Sequence, residues 1–524
     1  MSEPHRIGLG PWSFYFLAKL ALFWKGLIGF HALENLAFAA LLLCPPPSPA
    51  WGRLRPWASV PAAAALLYYD SWLPSLSRAL SQGALLAGFS GAYLLELLGR
   101  FVNWQVVALL VILWVGHGVL ARWLRTGVLA LAAMAFLAVQ QPAAGGHPAA
   151  PAGPAGEKRA GSATDLDAVL KAFYAAEARR RVAFPPPAPG DAPFDVIFLH
   201  VCSLSWDDLK AMELDSHPLW QRFDFLFSRF NSAASYSGPA AIRIQRGTCG
   251  QAPHSALYSA APEGCYLMAG LQAAGYEPSL ALNHDGHFDG FLGLVKGQAG
   301  MNVAPLPLAG LPVPQRGFDD SPIYDDLATL SRWLEGRGKS DQPRVAAFFN
   351  TISLHDGNRL AGAGAGRGSL DTYRIRLKKL LDDTDAFLEK LERSGRRAVV
   401  ALIPEHGAAV RGDRMQIAGL REIPSPAITL VPVGVKVVGP DVRRSGDAAR
   451  VDASTSYLAV SHLIARMLEY SPYGQAGFAP ATYLADLPTT PFVAENESTV
   501  VMEHEGKYFL RQDKEGWTEY GAQP

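Results

Sequence analysis

The sequence runs to 524 residues, more than one ordinary domain holds, so two or more units are expected. Lysine plus arginine equals aspartate plus glutamate at 47 each, a balance that leaves no basic footprint and excludes nucleic acid as a partner. The apolar residues are unevenly spread: 12–140 carries runs such as 106–115 and 128–139, whereas the rest alternates like a water-soluble protein.

Crossing the hydrocarbon core of a bilayer takes about 20 apolar residues. Four stretches approach this: 12–44, 57–74, 102–121 and 124–140. The first has room for two short helices, and Lys19, Lys25, His31 and Glu34 interrupt it, which suits an interfacial part. Arg53 and Arg55 precede the second stretch, and Arg122 and Arg125 separate the last two, so these loops read as cytoplasmic. No Lys or Arg follows Val139 until Lys158, so the chain there reads as outside, in an oxidising space. With the amino terminus inside, the span count is odd, and five helices are expected. The first apolar run lacks a small-residue cleavage site, so no cleavable leader is expected. Lys19, Glu34 and Glu96 mark either protein contacts or interface positions.

The domain order expected is a multi-span α-helical membrane domain over 1–140, a linker with one helix over 141–193, and a catalytic domain over 194–524. Residues 141–163 are too rich in Pro, Ala and Gly to bury a core and read as a tether. An amphipathic helix over 166–182 and the run PPPAPGDAP (185–193) complete the linker.

From Phe194 onward, short apolar runs alternate with helical stretches. Residues 195–202 (DVIFLHVC), 345–350 (VAAFFN) and 398–403 (AVVALI) read as buried strands. Such alternation predicts an α/β unit with a mostly parallel sheet. Ligands bind such sheets beyond the carboxyl ends of the strands. Each of the three strands runs straight into chemically active residues: Cys202-Ser203, then Thr351 through Gly357 with His355 inside, then Pro404-Glu405-His406-Gly407.

Glu405 and His406 offer a carboxylate oxygen and an imidazole nitrogen, both ordinary zinc ligands; the plain alternative is a surface ion pair. Cys202 offers a thiolate, or is simply a buried free cysteine. Ser237 precedes Gly238-Pro239 and reads as a helix N-cap. The helix dipole there favours an anionic phosphate, and a serine beside zinc becomes a nucleophile, a role compatible with capping. Cys249 and Cys265 default to a disulfide in an oxidising compartment, with a zinc role as the alternative. Cys44 ends an apolar run and reads as an inert small hydrophobe.

The ordered motifs CSLSW (202–206), SYSGPAAIR (235–243), LHDGN (354–358), PEHG (404–407), GDRMQ (412–416) and IPSP (423–426) resemble the BcsG family of cellulose-biosynthesis phosphoethanolamine transferases. FYFLAK (14–19) and SQGALLAGFS (81–90) extend the likeness into the apolar half. The resemblance implies an α/β/α sandwich like that of alkaline phosphatases and sulfatases, standing in the periplasm on a bacterial inner-membrane anchor. It implies Zn2+ held by Cys202, Ser237, Glu405 and His406, a Cys249–Cys265 disulfide, and Tyr236, His355 and Arg421 around the phosphoryl group. Lipid A and lipoteichoic acid enzymes usually carry a carboxylate and a Thr where this chain has Cys202 and Ser237. The run Asn283-His284-Asp285-Gly286-His287 departs from the family's His-Asn-Gly-like pattern, so no role passes to Asp285 or His287.

The expected reaction moves phosphoethanolamine from phosphatidylethanolamine to the 6-hydroxyl of nascent cellulose through phosphoserine at Ser237. His355 protonates the leaving oxygen or holds a phosphate oxygen, and Arg421 binds phosphoryl oxygens or forms a structural ion pair. The cellulose synthase complex and the membrane are the other partners expected. The rivals are transfer to another envelope acceptor, a hydrolase, and a non-catalytic scaffold of the synthase. A sulfatase would need Arg at the fifth position from Ser237, where this chain has Ala241.

Overall fold

The structure, a computed structural model, describes residues 9–25, 28–45, 48–71, 88–101, 104–121, 123–140, 163–362, 368–413, 415–473, 477–512 and 516–521. The tether over 141–162, Arg122, residues 81–87 of SQGALLAGFS and Arg414 lie outside the described residues. The chain divides into two compact units. One comprises Met1–Ala87 and Leu97–Arg159; the other comprises Gly88–Glu96 and Ala160–Ala522.

The first unit is helical. Its elements are α1 (Trp12–Trp24), α2 (Ala32–Leu43), α3 (Pro49–Tyr69), the end of α4 (Gly91–Phe101), α5 (Trp104–Leu120) and α6 (Thr126–Gln140). Phe16, Leu20, Phe30, Ala39, Ala130 and Met134 form its core. Inside this apolar setting Lys19 is paired with Asp70, and both are bound by Asn35, at 2.8 Å to Lys19 Nζ and 2.9 Å to Asp70 Oδ2. Elsewhere large apolar side chains face outward, among them Trp57, Ile112, Trp114 and Val139.

Among the described residues, no helix is long and apolar enough to cross a membrane. The 21-residue α3 contains Arg53, Arg55, Pro56 and Pro61. The apolar α5 and α6 have 17 and 15 residues, about 26 Å and 23 Å of helix against a core of about 30 Å. The long run at 12–44 is divided by the break after Trp24 into α1 and α2.

In the second unit, α7 (Ala163–Glu177) lays Leu166, Leu170 and Phe173 against Val493, Val500 and Met502 of a small antiparallel sheet near the carboxyl terminus. The main sheet has seven strands: β1 (Asp195–Val201), β2 (Phe225–Asn231), β3 (Glu277–Leu282), β4 (Val345–Thr351), β5 (Ala398–Pro404), β6 (Leu430–Val438) and β7 (Ala449–Val451). Their spatial order is β7-β2-β6-β5-β1-β4-β3. The sheet is mixed, because β6 runs antiparallel to both its neighbours while the remaining pairs are parallel. The chain returns directly beside β5 after residues 405–429, without the crossover helix that a parallel neighbour requires.

Both faces of the sheet are covered, as the strand sequences demand. The period of two sends Val196, Phe198, Phe348, Val399 and Ala401 to one face. There they meet α9 (Ser237–Gln245), α10 (Leu267–Ala273), α11 (Phe291–Lys296) and α14 (Tyr457–Glu469). Ile197, Leu199, Ala347, Phe349, Val400 and Leu402 face the other way, toward α8 (Trp206–Ala211), α12 (Asp326–Gly338) and α13 (Ser369–Arg393). Uninterrupted apolar strands are what two covered faces require.

At the amino end of β1, Asp195 accepts from Arg337 Nε and Nη2 at 3.0 and 2.9 Å and from the Val345 amide at 2.9 Å. Both side chains are buried, so the pair joins α12 to β1 and β4 in a low dielectric. Asp195→Ala strands the guanidinium and should destabilise this unit by about 3–5 kcal/mol, read as a lower urea midpoint. An unchanged midpoint would show that Arg337 finds another partner.

Candidate active site

β5, β1 and β4 lie side by side and run in the same direction, with Val201 in register with both Pro404 and Thr351. The residues that follow them therefore emerge together at one sheet edge. The backbone ties the three exits: Cys202 N donates to Thr351 O at 2.9 Å, Glu405 N to Val201 O at 2.8 Å, and Leu204 N to His406 O at 2.6 Å. Ser203 turns the chain with φ 66°, a conformation costing about 1–3 kcal/mol for an L side chain. Gly407 is fixed by close approach: a Cβ there would lie 2.6 Å from Ser205 Oγ and 2.8 Å from Asp208 Oδ2. Asp208 receives the amides of Ser205 and Ala408, at 3.0 and 2.7 Å, and so holds both loops.

Cys202, Glu405 and His406 are fully buried, and one ligand atom of each lies within 4.8 Å of the others. Ser237 adds a fourth donor, its Oγ standing 3.4 Å from Cys202 Sγ and 3.5 Å from His406 Nε2. The serine is not the helix cap. Tyr236 is the N-cap of α9 without a side-chain cap bond, and Ser237 is the first helical residue. Its hydroxyl is turned to the thiol and imidazole, which leaves it for chemistry at a positive helix end.

Electrostatics inside the cluster favour a cation. Asn350 Nδ2 donates to Glu405 Oε1 at 2.6 Å, while Glu405 Oε2, equally buried, has no hydrogen-bond partner among the described residues. Burial, with Glu405 beside it, pushes the Cys202 thiol up to about 12, so its thiolate form needs a positive ion. Burial and then Arg421 hold His406 well below the usual imidazole range, so its ring is neutral. His406 Nδ1 lies 2.9 Å from Gly407 O and 3.3 Å from Arg421 Nη1, and it cannot both donate and accept. The shorter contact to a carbonyl places the proton on Nδ1, leaving the Nε2 lone pair turned to Ser237. A thiol, a hydroxyl, a partnerless carboxylate oxygen and an imidazole lone pair fit a tetrahedral metal ion.

Arg421, buried, donates to Ser203 Oγ at 3.0 Å and lies 5.6 Å from the centre of the Tyr236 ring. Tyr236 Oη donates to Glu422 Oε1 at 2.7 Å. His355 Nδ1 donates to Asp356 O at 2.7 Å, and burial followed by Arg421 lowers its pKa to about 4. As a neutral ring it presents a lone pair on Nε2, so at neutral pH it accepts a proton before it can give one. Cys249 and Cys265, which follow α9 in the chain, are joined in a disulfide and are not part of the Cys202, Glu405 and His406 group.

Sequence reasoning did not single out the residues that orient Glu405. His284 Nδ1 accepts from Gly286 N at 3.1 Å, so its Nε2 carries the proton given to Asn350 Oδ1 at 2.9 Å. That bond fixes the Asn350 amide with its NH2 toward Glu405. The signal was position alone: Asn350 sits on β4 one residue before the reactive run, and His284 follows β3 on the next strand. Asp285 and His287 make a local turn, His287 N donating to Asp285 Oδ1 at 2.9 Å.

Two family models match. The cellulose biosynthesis protein BcsG C-terminal domain covers residues 152–517, and the BcsG N-terminal domain covers 12–139. The chain belongs to the BcsG family. It is 42% identical to the cellulose biosynthesis protein BcsG of Salmonella typhimurium over 98% of this chain and 96% of that one. The Escherichia coli K12 protein of the same name is 41% identical with the same coverage. Among solved structures, an alkaline phosphatase superfamily protein from Vibrio parahaemolyticus superposes with a TM-score of 0.46 at 10% identity, covering 67% of this chain and 87% of that one.

Because Asn350 donates a 2.6 Å hydrogen bond to Oε1, with His200 Nε2 farther off at 3.8 Å, and so directs Oε2, Asn350→Ala should weaken metal binding about 10–100-fold without unfolding the chain. Chelator competition on the purified protein measures this, and unchanged affinity would remove Asn350 from the site.

Proposed function

We propose that the chain transfers phosphoethanolamine from phosphatidylethanolamine to the glucose 6-hydroxyl of nascent cellulose, with zinc as its resident ion and Ser237 as nucleophile. The observation that carries this reading is the buried quartet of Cys202, Ser237, Glu405 and His406, with Glu405 Oε2 lacking a partner, in a chain of a cellulose-biosynthesis family. Cys202 Sγ, Ser237 Oγ, Glu405 Oε2 and His406 Nε2 would hold the ion. Bound zinc would lower the pKa of the hydroxyl oxygen beside it and offset phosphoryl charge.

The chain's own groups divide the remaining work. Ser237 Oγ attacks phosphorus while the bond to the diacylglycerol oxygen breaks on the opposite side, and that oxygen leaves with a proton. The glucan hydroxyl then attacks phosphoserine, loses its proton, and frees Ser237 Oγ. His355 Nε2 takes the proton of the incoming hydroxyl and, once protonated, returns one to a leaving oxygen. Arg421 holds a phosphoryl oxygen with a charge-assisted bond. Tyr236, next to the nucleophile, supports the Arg421 guanidinium with its ring face.

The catalytic unit stands in the periplasm on an inner-membrane anchor of about five spans, next to the cellulose synthase complex. The Cys249–Cys265 disulfide fits an oxidising compartment, and the outward apolar side chains of α5 and α6 fit a lipid setting.

The full-length protein in detergent should bind about one zinc per chain, and Cys202→Ala and His406→Ala should each lose it. Ser237→Ala should remain folded and make no phosphoserine, seen as the absence of a phosphoethanolamine mass adduct. A Ser237→Ala protein that still modifies a cello-oligosaccharide would falsify the mechanism. Because the His355 pKa is lowered to about 4, the base form persists through neutral and mildly acidic pH. The rate assigned to it should fall only as pH drops toward about 4, measured as the acidic limb of the rate profile with zinc saturating.

A further inference from the structure

We propose that Gly88–Glu96, spliced into the chain between the apolar helices α3 and α5, is a working part of the phosphoryl-transfer site that positions His355 through Asp356. The inference rests on the role given to His355 above and adds residues far from it in sequence. Tyr93 Oη donates to Asp356 Oδ2 at 2.8 Å, and Ser369 Oγ donates to the other oxygen, Oδ1. Glu96 Oε1 in turn accepts from Ser369 N at 2.8 Å, while Ser369 Oγ, whose single proton goes to Asp356, stands 3.1 Å away. Tyr93, Asp356, Ser369 and Glu96 are thus one hydrogen-bonded chain with both ends on the same helix, α4.

Three further observations connect this chain to the imidazole. The carbonyl of Asp356 is the acceptor for His355 Nδ1–H, so the place of Asp356 sets both tautomer and ring orientation. Phe89 and Tyr93 pack on Phe318 at ring-centre distances of 5.3 and 6.0 Å, and Phe318 packs on His355 at 4.9 Å. Gly357 has φ 80°, and a Cβ there would lie 2.5 Å from Phe318 Cβ and 2.8 Å from Tyr93 Cε2, so the loop is shaped to receive this segment. Outside the helix, Ser90 N donates to Phe318 O at 2.8 Å, and Arg359 Nη1 donates to Ser90 Oγ at 3.0 Å.

Glu96 also acts on the loop from behind. It lies at the amino end of α13, where a carboxylate opposes the positive helix end. From α13, Arg376 donates to Ser353 O at 2.7 Å and to His355 O at 3.3 Å. Both ends of the His355 loop are therefore referred to a segment that the catalytic stretch 194–524 does not contain.

The test compares full-length wild type, Tyr93→Phe and Glu96→Gln in detergent, by hydrogen exchange and by transfer from phosphatidylethanolamine to a cello-oligosaccharide. Exchange over 352–360 should quicken about tenfold in the variants, the worth of one hydrogen bond to a charged group, while β1 keeps its protection. The turnover number should fall about tenfold at unchanged donor KM, because positioning of a proton-transfer group is lost and not lipid binding. Unchanged exchange in both variants, or faster exchange with unchanged turnover, overturns the proposal. A wild type without transfer sinks the function proposed above, and the exchange comparison still decides whether the segment holds the loop.

Discussion

A fully buried carboxylate with one oxygen left without a hydrogen-bond partner among the described residues is the constraint around which the second unit is built. Burying such a charge is costly unless something positive meets it. Glu405 is committed on one side, where Asn350 holds Oε1, and its other oxygen joins Cys202 and His406. The amide cannot flip, because His284 donates to its oxygen and is itself fixed by Gly286 N. A chain of hydrogen bonds across β3, β4 and β5 thus decides which carboxylate oxygen is offered to an ion. The same low dielectric that makes the cluster expensive without a cation makes it selective for one.

The sheet supplies the precision. Three parallel neighbours in register deliver three loops to one edge, and amides bind each loop to the next within hydrogen-bond distance. α9 brings Ser237 to the same edge at its positive helix end, which would favour an anion. The antiparallel β6 has its own consequence. Because it returns beside β5, the connection between the two strands carries Arg421 back to Ser203 and His406. A crossover helix in that place would have taken the guanidinium away from the metal-ligand group.

The parts legible in the sequence are those written in local pattern. Residues 195–202, 345–350 and 398–403 are continuous apolar runs, the signature of strands covered on both faces, and the structure places β1, β4 and β5 there. Cys202, Glu405 and His406 were legible as donor types at strand ends. Less legible was anything set by a partner distant in sequence. The direction of β6 depends on where a 25-residue loop returns, which no periodicity records. Ser237 carries the cap-and-Pro signature of a helix start, yet the cap is Tyr236, since the thiol and imidazole across the edge compete for the hydroxyl. In the first unit the run 12–44 holds the two short helices that its length allows, α1 and α2, whereas no described helix is long and apolar enough to cross a membrane, because α5 and α6 stop at 17 and 15 residues.

Lys19 and Glu96 show what a charged residue in an apolar run signifies. A charge withdrawn from water there needs a partner. The sequence announces the need without saying what meets it. For Lys19 the answer is Asp70, with Asn35 bridging, and the result is a clasp inside the first unit. For Glu96 the answer is the amide of Ser369, 273 residues later, at the start of the helix behind His355. Composition assigns Glu96 to the apolar half, whereas its hydrogen bonds assign it to the second unit. Such residues mark where the composition boundary and the structural boundary of a two-part protein diverge. Here that divergence brings Tyr93 and Glu96 to the His355 loop, so the apolar half of the sequence contributes to the geometry of the proposed chemistry.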